Sequence, residues 1–499
     1  MKKIFLSFLI FTLKLNLLLS QGTILLTLND ALQLAEEQSL QNFLNKHYYL
    51  ADYWAYKSYK ADYLPSLSFN SNPVTYSNAS QLRYNSATQS DQFVRTENLN
   101  SYFGLDLSQK ISATGGTIFA QSELNRIQNF GDNRYSQYSS RPFRIGYRQE
   151  LFGYNSMKWQ KKIEPLRYEK AKKEYLESTE IMYLTTTTLF FDLLKSMIQK
   201  EIAEQNLENS TNLLEISEKR FELGAVSREE LLDMRLSVNN LKIQLEETNL
   251  FFRERKERLL NFLMLPIETD LEIVIPNQIP IEEVDIQLVL QKAMENNPQI
   301  MHLEQTLLEN ERNVEQANKG RHFRADINLS YGISKDDGDF QNNGSLSNVY
   351  TPDFEDYQQM SIGLNIPILD WGRNKGRYQM AKSQQQIAQT STQQTLQQFK
   401  QKTITQAITF NLQKSKVESA AISDTLANES YHLTMERFKT GQTDVLRLTS
   451  SQKAKDNAQL QYINALSDYW YYYYTIRQLT LYNFESNEDI LFDEDKLIK

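Results

Sequence analysis

Two long stretches without glycine or proline constrain the fold of this chain more than any other feature. They run from residue 166 to 223 and from residue 377 to 440. At about 1.5 Å per residue, helices through these stretches would reach roughly 87 Å and roughly 96 Å. Leu207, Leu214 and Phe221 recur every seven residues, a spacing that is typical of a seam between helices. The sequence therefore predicts two helical rods.

Both rods stop at the same motif. RFELG ends the first rod at Gly224, and RFKTG ends the second at Gly441, 217 residues later. Gly146 and Gly363 are also 217 residues apart, and each follows an isoleucine, so the chain is a duplication. Glycine readily adopts the left-handed backbone conformation that ends a helix. We therefore expect Gly224 and Gly441 to be the points where each rod reverses into a returning helix.

The duplication and the apolar N-terminus together predict three segments along the chain. Residues 1–20 form a signal peptide, residues 21–282 form the first structural repeat, and residues 283–499 form the second. Each repeat is predicted to contain a short helix, then strands, then a long helical hairpin.

The N-terminus is typical of an export signal. Lys2 and Lys3 precede an apolar run, and the small Ser20 is the expected last residue before cleavage. Lys14 interrupts the apolar run, which disfavours an anchor of roughly 20 apolar residues. Removal of the signal takes away three lysines and no acid, so the formal charge moves from -8 to -11. Such an acidic chain is a poor candidate for binding nucleic acid or anionic lipid.

In two glycine-rich windows, residues 104–153 and 320–376, the spacing of apolar residues changes from about 3.6 to 2, so apolar and polar residues alternate. Phe143, Ile145 and Tyr147 alternate with polar residues or glycine, and other segments near residues 66, 103, 118, 327 and 362 do the same. In an exported chain without cysteine, one apolar and one polar face fit a transmembrane barrel. A soluble sheet alternates in the same way, so that alternative stays open.

Several motifs together resemble the TolC-like outer membrane efflux protein family. They are the two RFxxG turns, LNDALQLAEEQS at residues 28–39, ADYLPSLSFNS at 61–71 and IGLNIPILDWGRNKGR at 362–377. The resemblance implies an α+β membrane protein, a homotrimer whose copies each add four strands to a shared twelve-stranded outer-membrane β-barrel. Below the barrel, it implies an α-helical coiled-coil tunnel across the periplasm. It also implies export of small molecules or proteins that an inner-membrane transporter delivers through a periplasmic adaptor.

The number of strands departs from the family pattern. The second half has two alternating segments, as the family implies, but the first half has four, near residues 66, 103, 118 and 144. The additional hairpin either enlarges the barrel wall or forms an extracellular or rim excursion. We expect the excursion.

The two turns are the predicted docking end for the adaptor. Arg220 and Phe221 precede Gly224 as Arg437 and Phe438 precede Gly441, so a trimer would present six similar hairpin tips. In the alternative interpretation, each Phe packs within its own hairpin and each Arg is solvated.

The resemblance also predicts a gate near the tips. The family pattern places carboxylates six and nine residues after the second turn glycine, but here those positions are Arg447 and Ser450. Glu230 lies six residues after the first turn glycine. Glu230, Asp444 and Arg447 are therefore the gate candidates, with Glu230 and Arg447 as an oppositely charged pair on neighbouring hairpins. The alternative is that both side chains are merely solvated.

No catalytic motif occurs in the sequence. His47, His302, His322 and His432 lack the spacing of metal ligands, and the absence of cysteine excludes thiolate sites. We therefore expect neither an enzyme nor a metal or other cofactor.

The main alternative function is a periplasmic coiled-coil scaffold or adaptor protein without a pore. It would explain the rods and the duplication, but it leaves the alternating glycine-rich windows unexplained. The aromatic segment DYWYYYY at residues 468–474 fits either an interfacial girdle or packing between helices, and we predict packing.

Overall fold

The computed structural model describes residues 24–85, 88–130, 135–224, 226–276, 279–281, 283–342, 345–350, 353–440 and 442–498. The predicted signal peptide and Gly441 lie outside the described residues. The chain forms two compact units. Unit 1 contains the described residues up to Ala51, Lys170–Ile300 and those from Thr395 onward, and unit 2 contains Asp52–Glu169 and Met301–Gln394. Each unit therefore draws on both predicted repeats.

The helices are, in chain order, α1 (Leu28–Gln38), α2 (Leu40–Ala61), α3 (Ser156–Glu222), α4 (Arg228–Phe262), α5 (Ile286–Asn296), α6 (Pro298–Lys319), α7 (Arg373–Lys439), α8 (Val445–Thr480) and α9 (Glu494–Ile498). The strands are β1 (Ile24–Leu26), β2 (Ser66–Asn85), β3 (Ser90–Lys110), β4 (Thr117–Asn129), β5 (Tyr135–Leu151), β6 (Leu271–Ile273), β7 (Arg324–Asn342), β8 (Ser345–Tyr350), β9 (Glu355–Asn365), β10 (Tyr482–Asn483) and β11 (Glu488–Asp489). Across the described part of the chain, none of the helices combines the length and the apolarity that crossing a bilayer requires.

Helices α3 and α7 confirm the predicted rods, at 67 residues each. The predicted starting points were too late, because α3 continues through Pro165 and α7 through Gly376. A proline removes one hydrogen-bond donor from a helix, but most helical stability comes from tertiary packing. The start of α7 is fixed by Asp370, whose carboxylate accepts hydrogen bonds from the backbone N–H groups of Gly372 and Asn374, each at 3.0 Å.

The core of unit 1 is aromatic. Phe190 and Phe191 of α3, Phe410 of α7 and Tyr469 of α8 are fully buried in one cluster. The Tyr469 hydroxyl donates a hydrogen bond to the carbonyl oxygen of Ile281 at 2.8 Å and accepts one from its N–H at 3.1 Å. This satisfies the one polar group that the buried ring carries.

The rest of the aromatic segment on α8 is also mostly buried. Trp470, Tyr473 and Tyr474 lie in the same cluster, whereas Tyr471 is exposed. The prediction that these rings pack between helices is therefore confirmed.

Unit 2 contains one seven-stranded sheet. Strands β2, β3, β4, β5 and β7 follow in that order, and both β8 and β9 pair with the remaining edge of β7. All neighbouring strands are antiparallel. The additional hairpin, expected to form an extracellular or rim excursion, does not leave the sheet: β3 and β4 lie inside it, hydrogen-bonded on both sides.

The register places the alternating apolar residues on one face. Leu67 pairs with Leu107, Leu107 with Ala120, Ala120 with Ile145, and Ile145 with Tyr331. Because directly paired residues share a face, the apolar face continues across the sheet. Its large side chains are exposed: Leu67, Phe69, Leu105, Leu107, Ile118, Leu124, Phe143, Ile145, Leu329, Tyr331, Met360, Ile362 and Leu364.

The opposite face is polar and charged. Glu123 and Arg141 form an ion pair at 3.3 Å, and Gln121 hydrogen-bonds Asp106. Phe119 is the exception, since it is buried on this face. The guanidinium groups of Arg144 and Arg148 each lie 5.5 Å from its ring centroid.

A glycine makes room for this ring. A Cβ atom at Gly146 would lie only 2.3 Å from Cζ of Phe119. The glycine that the repeat pattern singled out therefore permits a close approach between β4 and β5.

Candidate docking tips and gate

The first tip, residues 220–230, is a glycine turn between α3 and α4. Gly224 has a φ of 75°, and its N–H donates a hydrogen bond to the carbonyl oxygen of Phe221 at 2.9 Å. This is the left-handed conformation that the sequence predicted. A Cβ atom at Gly224 would meet no heavy atom within 4 Å, so only the backbone conformation favours glycine here.

Helix α4 starts with a capping box that the sequence reasoning missed. The Ser227 hydroxyl accepts a hydrogen bond from the N–H of Glu230, and the Glu230 carboxylate accepts one from the N–H of Ser227, both at 3.1 Å. The signal was present in the sequence, because Ser-x-x-Glu before a helix is a typical capping box. Glu230 therefore already has a role within its own hairpin.

The second tip, residues 437–447, ends α7 and starts α8. The N–H of Gln442 donates to the carbonyl oxygen of Arg437 at 2.8 Å, a bond that closes the end of the helix. Asp444 is the N-cap of α8, and its carboxylate accepts a hydrogen bond from the N–H of Arg447 at 2.8 Å. Asp444 follows Ser227 by 217 residues, so the duplication also repeats the cap.

The two phenylalanines of the repeated motif lie in different environments. Phe438 is 6% exposed and packs with Tyr431 and Leu448, whereas Phe221 is 39% exposed. The guanidinium of Arg220 lies 6.0 Å from the Phe438 ring centroid, so the first hairpin contacts the second through this pair. Phe438 therefore packs inside the protein, whereas Phe221 is available for contacts at the surface.

Two leucines near the turns are also exposed. Leu223 is 83% exposed and Leu446 is 79% exposed. Leu223 occupies a variable position of RFELG and Leu446 lies outside the repeated motif, so the repeat did not mark either residue. Exposed apolar side chains at a helix turn are suited to a protein contact.

The gate candidates do not form an ion pair within one chain. Arg447 is exposed and shares a surface groove with Arg437 and Glu429, while the Glu230 carboxylate caps α4. Within the first hairpin, ion pairs between α3 and α4 instead join Arg235 to Glu218 at 2.9 Å and Arg255 to Asp192 at 3.5 Å.

A polar contact lies among the helices of unit 1. The Asn206 side-chain amide donates a hydrogen bond to the Asp456 carboxylate at 2.7 Å, and its oxygen accepts one from Gln452. The other carboxylate oxygen of Asp456 is buried without a hydrogen-bond partner. Burial raises the pKa of Asp456, although the bond from Asn206 partly offsets this.

Comparison with known proteins supports the resemblance. Residues 289–480 match the family model described as outer membrane efflux protein. No curated protein matches the chain in sequence. The fold is similar to that of the Campylobacter jejuni CmeC outer membrane channel, with a TM-score of 0.65 and 15% identity over 94% of this chain and 88% of that one.

Two further solved structures have a similar fold. A Pseudomonas aeruginosa membrane protein gives a TM-score of 0.62 at 14% identity, over 91% of this chain and 90% of that one. The outer membrane protein VceC from Vibrio cholerae gives 0.56 at 14% identity, over 91% and 95%. At sequence identities of 14–15%, these similarities show that the chains share a fold and do not show a shared function. This chain therefore resembles the outer membrane efflux protein family in sequence over residues 289–480, and it has the fold of solved outer membrane channels over most of its length.

Proposed function

We propose that this protein is an outer membrane channel-tunnel that exports small molecules or proteins across the periplasm and the outer membrane. It acts as a homotrimer with a periplasmic adaptor and an inner-membrane transporter. The sheet of unit 2 forms part of a β-barrel in lipid, and the long helices form a periplasmic tunnel. The protein is a conduit and not an enzyme.

The exposed apolar face of the sheet carries this proposal. In a soluble sheet the apolar face is the one that packs against a core, but here Leu67, Leu105 and Leu364 are all exposed. Charged side chains lie on the other face beside this apolar band, including Glu123 with Arg141 and the two arginines Arg144 and Arg148. Apolar residues toward lipid and polar residues toward water are the arrangement of a transmembrane barrel.

The scaffold alternative does not account for this sheet. A periplasmic scaffold or adaptor without a pore would expose the same apolar face to water, where it would promote aggregation. The family match, the outer membrane channels of similar fold and the predicted signal peptide all agree with an outer membrane location.

The adaptor docks on the helical tips. Phe221, Leu223 and Leu446 are apolar and exposed next to the turns. Arg437 in the second tip is also exposed, while the Arg220 guanidinium lies against the Phe438 ring of the other hairpin. In this arrangement Gly224 sets the shape of the first turn.

The gate is formed by contacts between neighbouring hairpins of the trimer. Arg447 is exposed on α8, and Glu230 keeps one carboxylate oxygen that the capping box does not use. An exposed pair of this kind contributes only about 0 to 1 kcal/mol, but three copies around the axis act together.

Fractionation combined with cross-linking tests the channel directly. The chain has no cysteine, so Ser68→Cys on β2 and Ser361→Cys on β9 introduce the only thiols. Strands β2 and β9 are the two outer strands of the sheet, so in a trimeric barrel β2 of one copy would lie beside β9 of the next. In outer membranes, a bismaleimide should therefore link the double variant into covalent dimers and trimers, and each single-cysteine variant should form none through this contact. Release of the protein in a soluble monomeric form would contradict the proposal.

A further inference from the structure

The β3–β4 hairpin is an integral part of the sheet. Strand β4 pairs with β3 in an unbroken register from Asn98 opposite Asn129 to Lys110 opposite Thr117. On its other side, β4 pairs with β5 from Thr117 opposite Arg148 onward. The hairpin that exceeds the family strand count thus lies between β2 and β5.

This hairpin has the same two faces as the other strands. Leu105 and Leu107 of β3 lie on the apolar face, where they pair with Ser122 and Ala120 of β4. Asp106 points to the polar face and hydrogen-bonds Gln121. A hairpin in extracellular water has no need for an apolar face, whereas a barrel strand requires one toward lipid.

The turn of the hairpin lies at the end of the sheet where the chain enters and leaves it. The Gln109 side chain donates a hydrogen bond to the carbonyl oxygen of Tyr63, just before β2, at 2.8 Å. The Asn155 side chain, just before α3, donates one to the carbonyl oxygen of Ser112 at 3.0 Å. Strands β3 and β4 therefore each run through the full apolar band.

The band is tall enough to match a bilayer. On β3 the apolar face extends from Leu99 to Leu107. At about 3.4 Å per residue, these eight steps give roughly 27 Å along the strand. A tilted transmembrane strand crosses a bilayer with about 9–11 residues, and the segment from Leu99 to Leu107 has that length.

The two outer strands are complementary in direction. Because β2, β3, β4, β5, β7 and β9 alternate in direction, β9 runs antiparallel to β2. Among the described strands, β2 pairs only with β3 and β9 only with β7. Backbone groups at a sheet edge cannot remain unpaired in lipid. The β9 edge of a second copy supplies antiparallel partners for β2.

We propose that each copy contributes six strands to the barrel wall, with β2 pairing to β9 of the neighbouring copy, so that a trimer closes an eighteen-stranded barrel. This proposal rests on the proposed function as a trimeric channel. Since barrel diameter grows roughly linearly with strand number, the barrel would be about 1.5 times as wide as a twelve-stranded one. The constriction that limits passage then lies in the helical part and not in the barrel.

Single-cysteine fluorescence labelling tests the proposal on consecutive residues of β4. Gln121→Cys places a thiol on the polar face, and Ser122→Cys places one on the apolar face. Leu105→Cys and Asp106→Cys repeat the test on β3, in case one β4 variant does not assemble. The control pair is Met360→Cys and Ser361→Cys on β9, a strand that belongs to the wall with either strand count. Each trimer is labelled with an environment-sensitive fluorophore and reconstituted in vesicles.

Quenching by spin-labelled lipid and by aqueous iodide distinguishes the outcomes. If the wall has six strands per copy, lipid quenches the probe at residue 122 and iodide quenches the probe at residue 121, as at residues 360 and 361. If iodide quenches the probes at both β4 positions, while lipid still quenches residue 360 and iodide still quenches residue 361, the six-strand proposal is wrong and the channel proposal is retained. If the probes at residues 360 and 361 also show no difference in quenching, both proposals are wrong.

Discussion

Glu180 and Arg477 form a buried ion pair with two hydrogen bonds. Arg477 donates from Nη2 to Oε1 of Glu180 at 2.8 Å and from Nε to Oε2 at 3.0 Å. The side chain of Glu180 is 2% exposed and that of Arg477 is 15% exposed. Burial raises the pKa of Glu180, and the guanidinium opposes this by favouring the carboxylate. The pair connects α3 to α8 within unit 1, and each buried charge is neutralised only while its partner is present.

Breaking this pair from one side should destabilise the protein strongly. Arg477→Met leaves a buried carboxylate without its counter-charge, and we expect a loss of about 3–5 kcal/mol in the free energy of unfolding. The double variant Glu180→Leu with Arg477→Met should recover most of that loss, because no charge then remains buried. Denaturant unfolding followed by helical circular dichroism measures both.

The exposed pair Glu215 with Lys219 provides the control. Both side chains are more than half exposed, at 67% and 70%. Glu215→Ala should leave the unfolding curve unchanged within error. Equal losses at the exposed and the buried pair would contradict the assigned role of burial.

Asp456 should make stability depend on pH in a specific direction. Burial raises its pKa in the folded protein above the ordinary value of 3.8. The folded state therefore binds the proton more tightly than the unfolded state, so this group's contribution falls as pH rises from the ordinary pKa through the folded pKa. Asp456→Asn keeps an acceptor for Asn206 and removes this contribution. Melting temperatures from about pH 4 to about pH 7 should show a smaller decline for the variant than for wild type. A decline of the same size in both proteins would exclude Asp456 as its source.

The left-handed turn at Gly224 should matter for export more than for assembly. A side chain there costs about 1–2 kcal/mol in backbone conformation, and a β-branched one costs more. Gly224→Val should abolish export while the trimer still forms, whereas Gly224→Asn should retain it, since asparagine tolerates this conformation. Export assays with the native adaptor, together with trimer quantification, provide the measurement. Unchanged export with valine would argue against docking at this tip.

Charge reversal at the proposed gate should change channel opening. Arg447→Glu should raise the open fraction in planar bilayers, and adding Glu230→Arg should restore closure. Because Glu230 also caps α4, Glu230→Gln is the matched control: it keeps the capping hydrogen bond and removes only the charge. Closure in the wild type should weaken as salt increases. Identical gating in all variants would place the constriction elsewhere.

Charges on the apolar face of the sheet should impair membrane assembly. Leu105→Arg and Leu364→Arg should each cost about 2 to 4 kcal/mol if the side chains face the middle of the bilayer. Ser361→Arg, on the polar face of β9, is the control and should assemble normally. The fraction of trimer in outer membranes measures the effect. Similar assembly for Leu364→Arg and Ser361→Arg would contradict the orientation of the sheet.

The sequence alone determined the features that depend on local backbone preference and periodicity. The absence of glycine and proline predicted the bodies of α3 and α7, the seven-residue spacing supported α3, and Gly224 predicted the first turn. Strict alternation predicted the strands and their apolar side chains. These features follow from the conformations available to a few neighbouring residues, so the linear order of residues is sufficient to predict them.

Which equivalent residues are buried, and which strands are neighbours, depends on tertiary contacts. Phe221 and Phe438 are identical in their motifs, yet only Phe438 is buried, because Tyr431 and Leu448 surround it. The β3–β4 hairpin could have left the sheet, but its cross-strand pairing placed it inside. Burial and pairing depend on residues that are distant in the chain. One sequence motif can therefore have two environments, and the fold selects between them.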